Sequence, residues 1–288
     1  MSLLPWHHEL ASRIGTLVDS AKLPHGILIT AAEGWGEVAF AQWLALTLLE
    51  QPPDLDASEM AHPDLRWVKP DGAEIKVDAI REIGQFAFKT SQRGARKVVV
   101  LEDAHLLNRN AANALLKTLE EPPADTYVLL ASCHAGRLLP TIRSRCQRFV
   151  IRPDPVSARD WLAERWGAAE IAERMEGNAG APLLVAAELV EGNPPLLRTL
   201  AEIRTSPQPL ACLDDLLARD PGWVTGGWYR HIKGMLVRST DATDAPAREL
   251  LAFADELLWV RHQLINTNSA NARLLMGRLI VKWHGLGT

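Results

Sequence analysis

The stretch GILITAAEGWGEVAF, residues 26–40, decides how this chain is read. An apolar run (26–29) leads into a turn that carries Gly34 and Gly36, and Glu37 opens a pattern of helical period. A working phosphate-binding loop reads G-x-x-x-x-G-K-[ST]. Its backbone N–H groups wrap the phosphates, its lysine neutralises them and its hydroxyl holds Mg²⁺. Here Ala31 stands for the first glycine, Gly36 is kept, Glu37 replaces the lysine and Val38 replaces the hydroxyl residue. A carboxylate aimed at a triphosphate repels it, and valine offers a metal nothing. Locally two readings stand: a plain strand–turn–helix that needs glycines for a tight turn, or a degenerate ATP site.

Around this stretch the first half alternates short apolar runs with helical patterns. Candidate strands are 26–30, 65–68, 97–101, 127–131 and 148–151, rich in Val, Ile and Leu and lacking in/out alternation. Such runs suit a parallel sheet buried on both faces. Helical patterns cover 37–49, 77–88 (Ile80, Ile83 and Ala87 on one face) and 108–121 (Ala112, Leu115, Leu116 and Leu119), the last stopped by Pro122–Pro123. The alternation implies a doubly wound α/β domain. After RPDP (152–155) no strand pattern follows. Short helices fill 157–190, GNPP (192–195) reads as a linker, and amphipathic helices run to the end, the longest over 247–267 and 270–283. The expected domains are 1–153 (α/β), 154–192 (small helical) and 193–288 (helical bundle).

With 288 residues and a net charge of −4, affinity for nucleic acid cannot be argued from overall charge and would need a local basic patch. Three scattered cysteines, Cys133, Cys146 and Cys212, suit a reducing compartment and form no disulfide framework or metal cluster. MSLLPWHHEL has no secretory signature, and no apolar run reaches the ~18–20 residues that span a bilayer. The expectation is a cytoplasmic protein that contacts no membrane.

Two further motifs carry chemistry. KVVVLEDAHLL (97–107) is an apolar strand ending in Glu102 and Asp103, like a Walker B element with its acids in reversed order. TIRSRCQRFV (141–150) lies among five arginines, Arg137, Arg143, Arg145, Arg148 and Arg152, with Arg145 between Ser144 and Cys146. Such a group is either a solvated basic edge or an arginine presented to a neighbour's phosphates, a task that suits its planar, permanently charged fork.

LPHGILI (23–29), the broken loop, VLEDAHLL (100–107) with NAANALLKTLEEPP (110–123), and RSRCQ (143–147) together resemble the bacterial clamp-loader AAA+ subunits of DNA polymerase III. The resemblance is tight over 23–152 and loose over the helical remainder. It implies an AAA+ (P-loop NTPase-like) domain with a five-stranded parallel sheet, a helical lid and an all-α collar. ATP-hydrolysing members keep an intact loop as well as SRC; a chain with SRC and a ruined loop resembles the delta-prime branch. That likeness implies a stationary, non-ATPase ring member whose Arg145 completes a neighbour's ATP site, with Ser144 and Cys146 holding the turn. Ala31, Gly34, Gly36, Glu37 and Val38 would then be vestigial, as would Glu102 and Asp103, and no ATP would be bound. The implied partners are the gamma/tau ATPase subunits and a delta subunit in a hetero-pentameric ring, with the sliding clamp and primed DNA reached through the assembly.

Two departures accompany the resemblance. Gly180 stands at the lid position where ATPase members carry a phosphate-sensing arginine. The family's four-cysteine zinc module should precede HPDL (62–65), but residues 50–61 hold no cysteine, so no zinc is expected and His62 cannot make a site by itself. The other histidines, His7 and His8 included, have no partner at ligand spacing and read as surface or packing residues. The competing functions are a weakly active ATPase with a divergent loop and a stand-alone DNA-binding module.

Overall fold

The computed structural model describes residues 3–72, 74–94, 96–192, 194–238, 245–266 and 271–286. Asn193 of the expected linker, and Thr267 and Ala270 at the ends of the two long helical patterns, lie outside these residues. The chain divides into two compact units, Met1–Ala158 and Arg159–Thr288.

The first unit is built on five parallel strands: β1 (Gly26–Thr30), β2 (Leu65–Val68), β3 (Lys97–Leu101), β4 (Thr126–Ser132) and β5 (Gln147–Val150). Their order is β2-β3-β4-β1-β5. β1 pairs with β4 from Gly26↔Val128 to Thr30↔Ser132 and with β5 from Ile27↔Gln147 to Thr30↔Val150. Every residue of β1 and β3 is buried, which is why these runs show no alternation. The helices are α1 (His8–Asp19), α2 (Glu37–Leu48), α3 (Val77–Ala87), α4 (Arg109–Glu120) and the short α5 (Pro140–Arg143).

One face of the sheet packs Leu28, Val99, Leu101, Val128 and Leu130 against α3 and α4, through Ile80, Ile83, Phe86, Ala112, Leu115 and Leu119. α2 packs on β1, β3 and β4 with Phe40, Ala41, Leu44 and Leu48 buried. Asn108 caps α4 by accepting the N–H of Ala111 at 2.9 Å. The helix ends at Glu120, just ahead of the two prolines.

α6 (Pro155–Ala163) carries the chain across the division. α7 (Ala168–Gly177), α8 (Pro182–Glu191), α9 (Leu196–Thr205), α10 (Leu213–Leu217), α11 (Pro221–Arg238), α12 (Ala245–Asn266) and α13 (Ala272–Gly285) complete the second unit. Its core gathers Trp228, Phe253, Leu257, Leu279 and Trp283. On α12, Ala254 and Leu257 face this core. Leu251 and Leu258 stay 48% and 41% exposed, so α12 offers a second apolar face to solvent. No helix among the described residues is long and apolar enough to cross a membrane.

Candidate functional site

Parallel strands put their loops at the carboxyl edge, and ligands of such sheets bind in the crevice there. Three of these loops converge here: the turn after β1, the Glu102–Asp103 pair after β3, and Cys133–His134 after β4. Gly34 and Gly36 take left-handed backbone (φ 76° and 86°), the conformation that favours glycine, and Gly36 is the residue from which α2 starts.

The turn is tied down by protein groups. Trp35 is buried, and its carbonyl accepts both the indole N–H of Trp6 and the Nε2–H of His7, each at 2.9 Å. The Trp6 and Trp35 rings meet edge-on, as do those of His7 and Phe40. Burial lowers the His7 pKa to about 4, so the ring is neutral and serves packing, as the sequence suggests.

Glu37 is 7% exposed at the start of α2, where its carboxylate accepts its own backbone N–H. Burial raises its pKa to about 7, and the charges of Asp103, Glu33 and Glu102 push it the same way. The group standing in the lysine's place is therefore an acid among acids at the helix N-terminus, its ionisation opposed by burial and by its neighbours.

The reversed acid pair separates. Glu102 turns away and accepts the indole N–H of Trp67 on β2 at 3.0 Å. Asp103 takes a left-handed backbone (φ 47°) that carries its carboxylate inward, so that oxygens of Glu37 and Asp103 and the sulfur of Cys133 all lie within 4.8 Å of one another. Burial raises the Asp103 pKa, against the pull of His134. Burial, then the charges of Glu37, Asp103 and Glu33, push the Cys133 thiol up to about 12.

His105, Cys133 and His134 form a second group, also with one ligand atom from each within 4.8 Å of the others. His105 Nδ1 is 3.2 Å from Ser132 Oγ, and Cys133 Sγ is 3.0 Å from His134 Nδ1. The sequence gives these histidines no partner, because 28 residues separate the two loops and only β3–β4 pairing brings them together. His62, set aside in the sequence as unable to make a metal site by itself, accepts the backbone N–H of Asp64 at 3.1 Å and shapes a turn.

The SRC residues lie at the opposite, amino edge of the sheet, between α5 and β5. The Ser144 hydroxyl donates to the Thr141 carbonyl at 3.1 Å. Cys146 is buried in the core beside α4, and burial raises its thiol pKa to about 12, so it packs as a neutral group. Arg145 is held by two contacts: a 3.0 Å hydrogen bond to the Thr141 carbonyl and a 2.6 Å ion pair with Glu120 at the end of α4. Gly26 fits because a Cβ there would lie 2.9 Å from the Arg145 carbonyl and 3.4–3.5 Å from Leu119 and Cys146. LPHGILI, LLKTLEEPP and RSRCQ, far apart in sequence, thus meet at one point.

The five arginines do not form one patch. Arg148 donates to the Thr30 hydroxyl at 3.1 Å and lines a cleft with Arg143 and Ser144, while Arg152 lines another with Arg13 and Glu9. Arg137 lies beside His105 and Arg109. In the second unit Gly180 has φ 78° in the turn after α7, a conformation an arginine would strain to adopt.

Comparison with known proteins follows the same outline. The sequence profile of a family described as "DNA polymerase III, delta subunit" matches residues 6–155. The DNA polymerase III subunit delta' of Pseudomonas aeruginosa is 32% identical over 99% of this chain and 98% of its own. That of Escherichia coli is 33% identical over 67% of this chain and 59% of its own. Among solved structures, a DNA polymerase III gamma subunit-related protein of Thermotoga maritima superposes with a TM-score of 0.57 at 20% identity, over 96% of this chain and 99% of that one. At that identity the likeness shows the fold alone.

Proposed function

The chain belongs to the DNA polymerase III delta-prime family, an AAA+ clamp-loader family, and from that premise we propose that it is the loader's stationary, non-ATPase subunit. In this reading it binds no ATP and lends Arg145 to the ATP site of a neighbouring gamma/tau subunit. It sits with those subunits and delta in a hetero-pentameric ring in the cytoplasm, and helps load the sliding clamp onto primed DNA. Residues 154–192 act as the lid. Residues 193–288 act as the collar, where exposed Leu251 and Leu258 on α12 suit contact with other collar helices.

The observation that carries the reading is the position of Arg145. SRC precedes β5 at the amino edge of the sheet, level with Gly26, whereas the degenerate loop follows Thr30 at the carboxyl edge. Four strand steps, roughly 13 Å, lie between them, so Arg145 does not serve its own loop. It is half-exposed at an edge and pre-oriented by Glu120, a partner that a γ-phosphate could replace.

Local electrostatics supports the loss of ATP. Glu33, Glu37 and Asp103 gather where a triphosphate would need cations, and an added phosphate charge would meet repulsion strengthened by burial. Ser144 and Cys146 act as positioning residues for Arg145 and touch no reacting atom.

Two measurements test this. Equilibrium binding of a fluorescent ATP analogue to the isolated chain should show no saturation, and tight binding would overturn the pseudo-site. Clamp loading onto primed DNA by a ring reassembled with Arg145→Ala should be severely slowed, and normal loading would overturn the finger.

A further inference from the structure

We infer that His105, Cys133 and His134, with the Asp103 carboxylate close enough to Cys133 and His105 to swing in as a fourth ligand, form a site for a divalent transition-metal ion of the zinc class. This goes beyond the clamp-loader reading and does not rest on it. The absence of cysteines at 50–61 argues against a four-cysteine module there; these ligands are a different set that only the fold brings together.

The donor atoms are a thiol sulfur, two imidazole nitrogens and a carboxylate oxygen. One ligand atom each from His105, Cys133 and His134 lies within 4.8 Å of the others, and an Asp103 oxygen is 4.0 Å from His105 Nδ1. In a tetrahedral zinc site with bonds of about 2.0–2.3 Å, neighbouring ligands stand roughly 3.3–3.8 Å apart. Closing around an ion therefore asks for side-chain shifts of about an ångström. The backbone is already shaped for this, since the left-handed residue Asp103 turns its carboxylate inward and β3 and β4 fix the two loops in register.

Chemistry selects the ion. A sulfur and two imidazoles favour Zn²⁺, Co²⁺ or Ni²⁺ over Mg²⁺, which prefers six oxygens in octahedral geometry. Ser132 Oγ, 3.2 Å from His105 Nδ1, would give that nitrogen up to the ion. His134 is exposed, which leaves an entry path, and Glu37 supplies a further carboxylate beside Cys133. The ion would bridge the loops after β3 and β4.

The test uses the full-length chain, stripped of metal with a chelator and titrated with Co²⁺. A thiolate-to-cobalt charge-transfer band in the near ultraviolet should saturate at one equivalent and be displaced by Zn²⁺. It should vanish in Cys133→Ser and persist in Cys212→Ser. His134→Ala, at an exposed position that does not threaten folding, should weaken Co²⁺ binding by more than the roughly tenfold that losing even an outer-shell partner costs. Circular dichroism checks that each variant is folded. No band in the wild-type chain, or a band indifferent to Cys133→Ser and His134→Ala, would overturn the site. Neither outcome bears on the ring ATPase that tests Arg145.

Discussion

Glu37 concentrates the residue-scale physics. A carboxylate whose pKa rises from its ordinary value near 4.5 to about 7 keeps a proton that the unfolded chain gives up. Its contribution to stability is fully present below pH ~4.5 and is lost as the pH climbs through 7, up to about 3 kcal/mol at alkaline pH. Glu37→Gln, which stays neutral throughout, should therefore raise stability to urea by about 1–3 kcal/mol at pH 8 and change little at pH 4. Urea titrations at the two pH values, in chelator, check this; equal effects at both would contradict it. The substitution of lysine by glutamate is legible in the sequence. Its burial is not, because Asp103 and Cys133 reach it from the loops after β3 and β4. Likewise the reversed Glu102–Asp103 order hides which acid faces the site, and a left-handed backbone at Asp103 decides it.

At the scale of elements, the strands were readable because each is a short run buried on both faces, and the observed ends differ from expectation by a residue or so in β4 and β5. Helix α1 was not read, since only Leu10, Ala11 and Ile14 are buried along it, too sparse a stripe to stand out. The meeting of β1, α4 and the SRC turn was invisible for a different reason: it depends on parallel pairing across more than a hundred residues. That meeting makes a prediction. Gly26→Ala would ordinarily favour a strand slightly, but its Cβ would come within 2.9 Å of the Arg145 carbonyl, a backbone atom that must move. It should destabilise the chain by about 1–3 kcal/mol and slow the reassembled loader although Arg145 is intact. Urea midpoints and loading rates check both; a neutral Gly26→Ala would mean the turn is slack.

At the scale of the whole molecule, the second unit joins the proposed lid and collar through buried polar groups. Glu188 is 1% exposed; it accepts the N–H of Leu196 at the start of α9 and the side-chain amide of Asn178, each at 3.0 Å. It also faces Arg174, 4% exposed, at 3.6 Å. Removing Glu188 leaves a buried guanidinium short of its counter-ion and a backbone donor without its acceptor. Glu188→Ala should cost about 3–5 kcal/mol. Glu170→Ala, which removes Arg174's exposed partner, should cost under about 1 kcal/mol. Equal losses in denaturant titrations would contradict this. Sequence patterning revealed the helical run of this half but not the ionic joint, because Arg174 and Glu188 lie on separate helices that only packing brings together.

The central claim is that this chain completes another subunit's ATP site from the amino edge of its own sheet. Its most direct test is the clamp- and DNA-stimulated ATPase of a ring reassembled with Arg145→Ala, beside Arg148→Ala as a control from the same strand region. Fingers of this kind are worth roughly 10³–10⁵ in rate at the site they serve. Arg145→Ala should therefore abolish turnover at one site of the ring, with Arg148→Ala near wild type. An Arg145→Ala ring that hydrolyses ATP as fast as the wild-type ring would contradict the account.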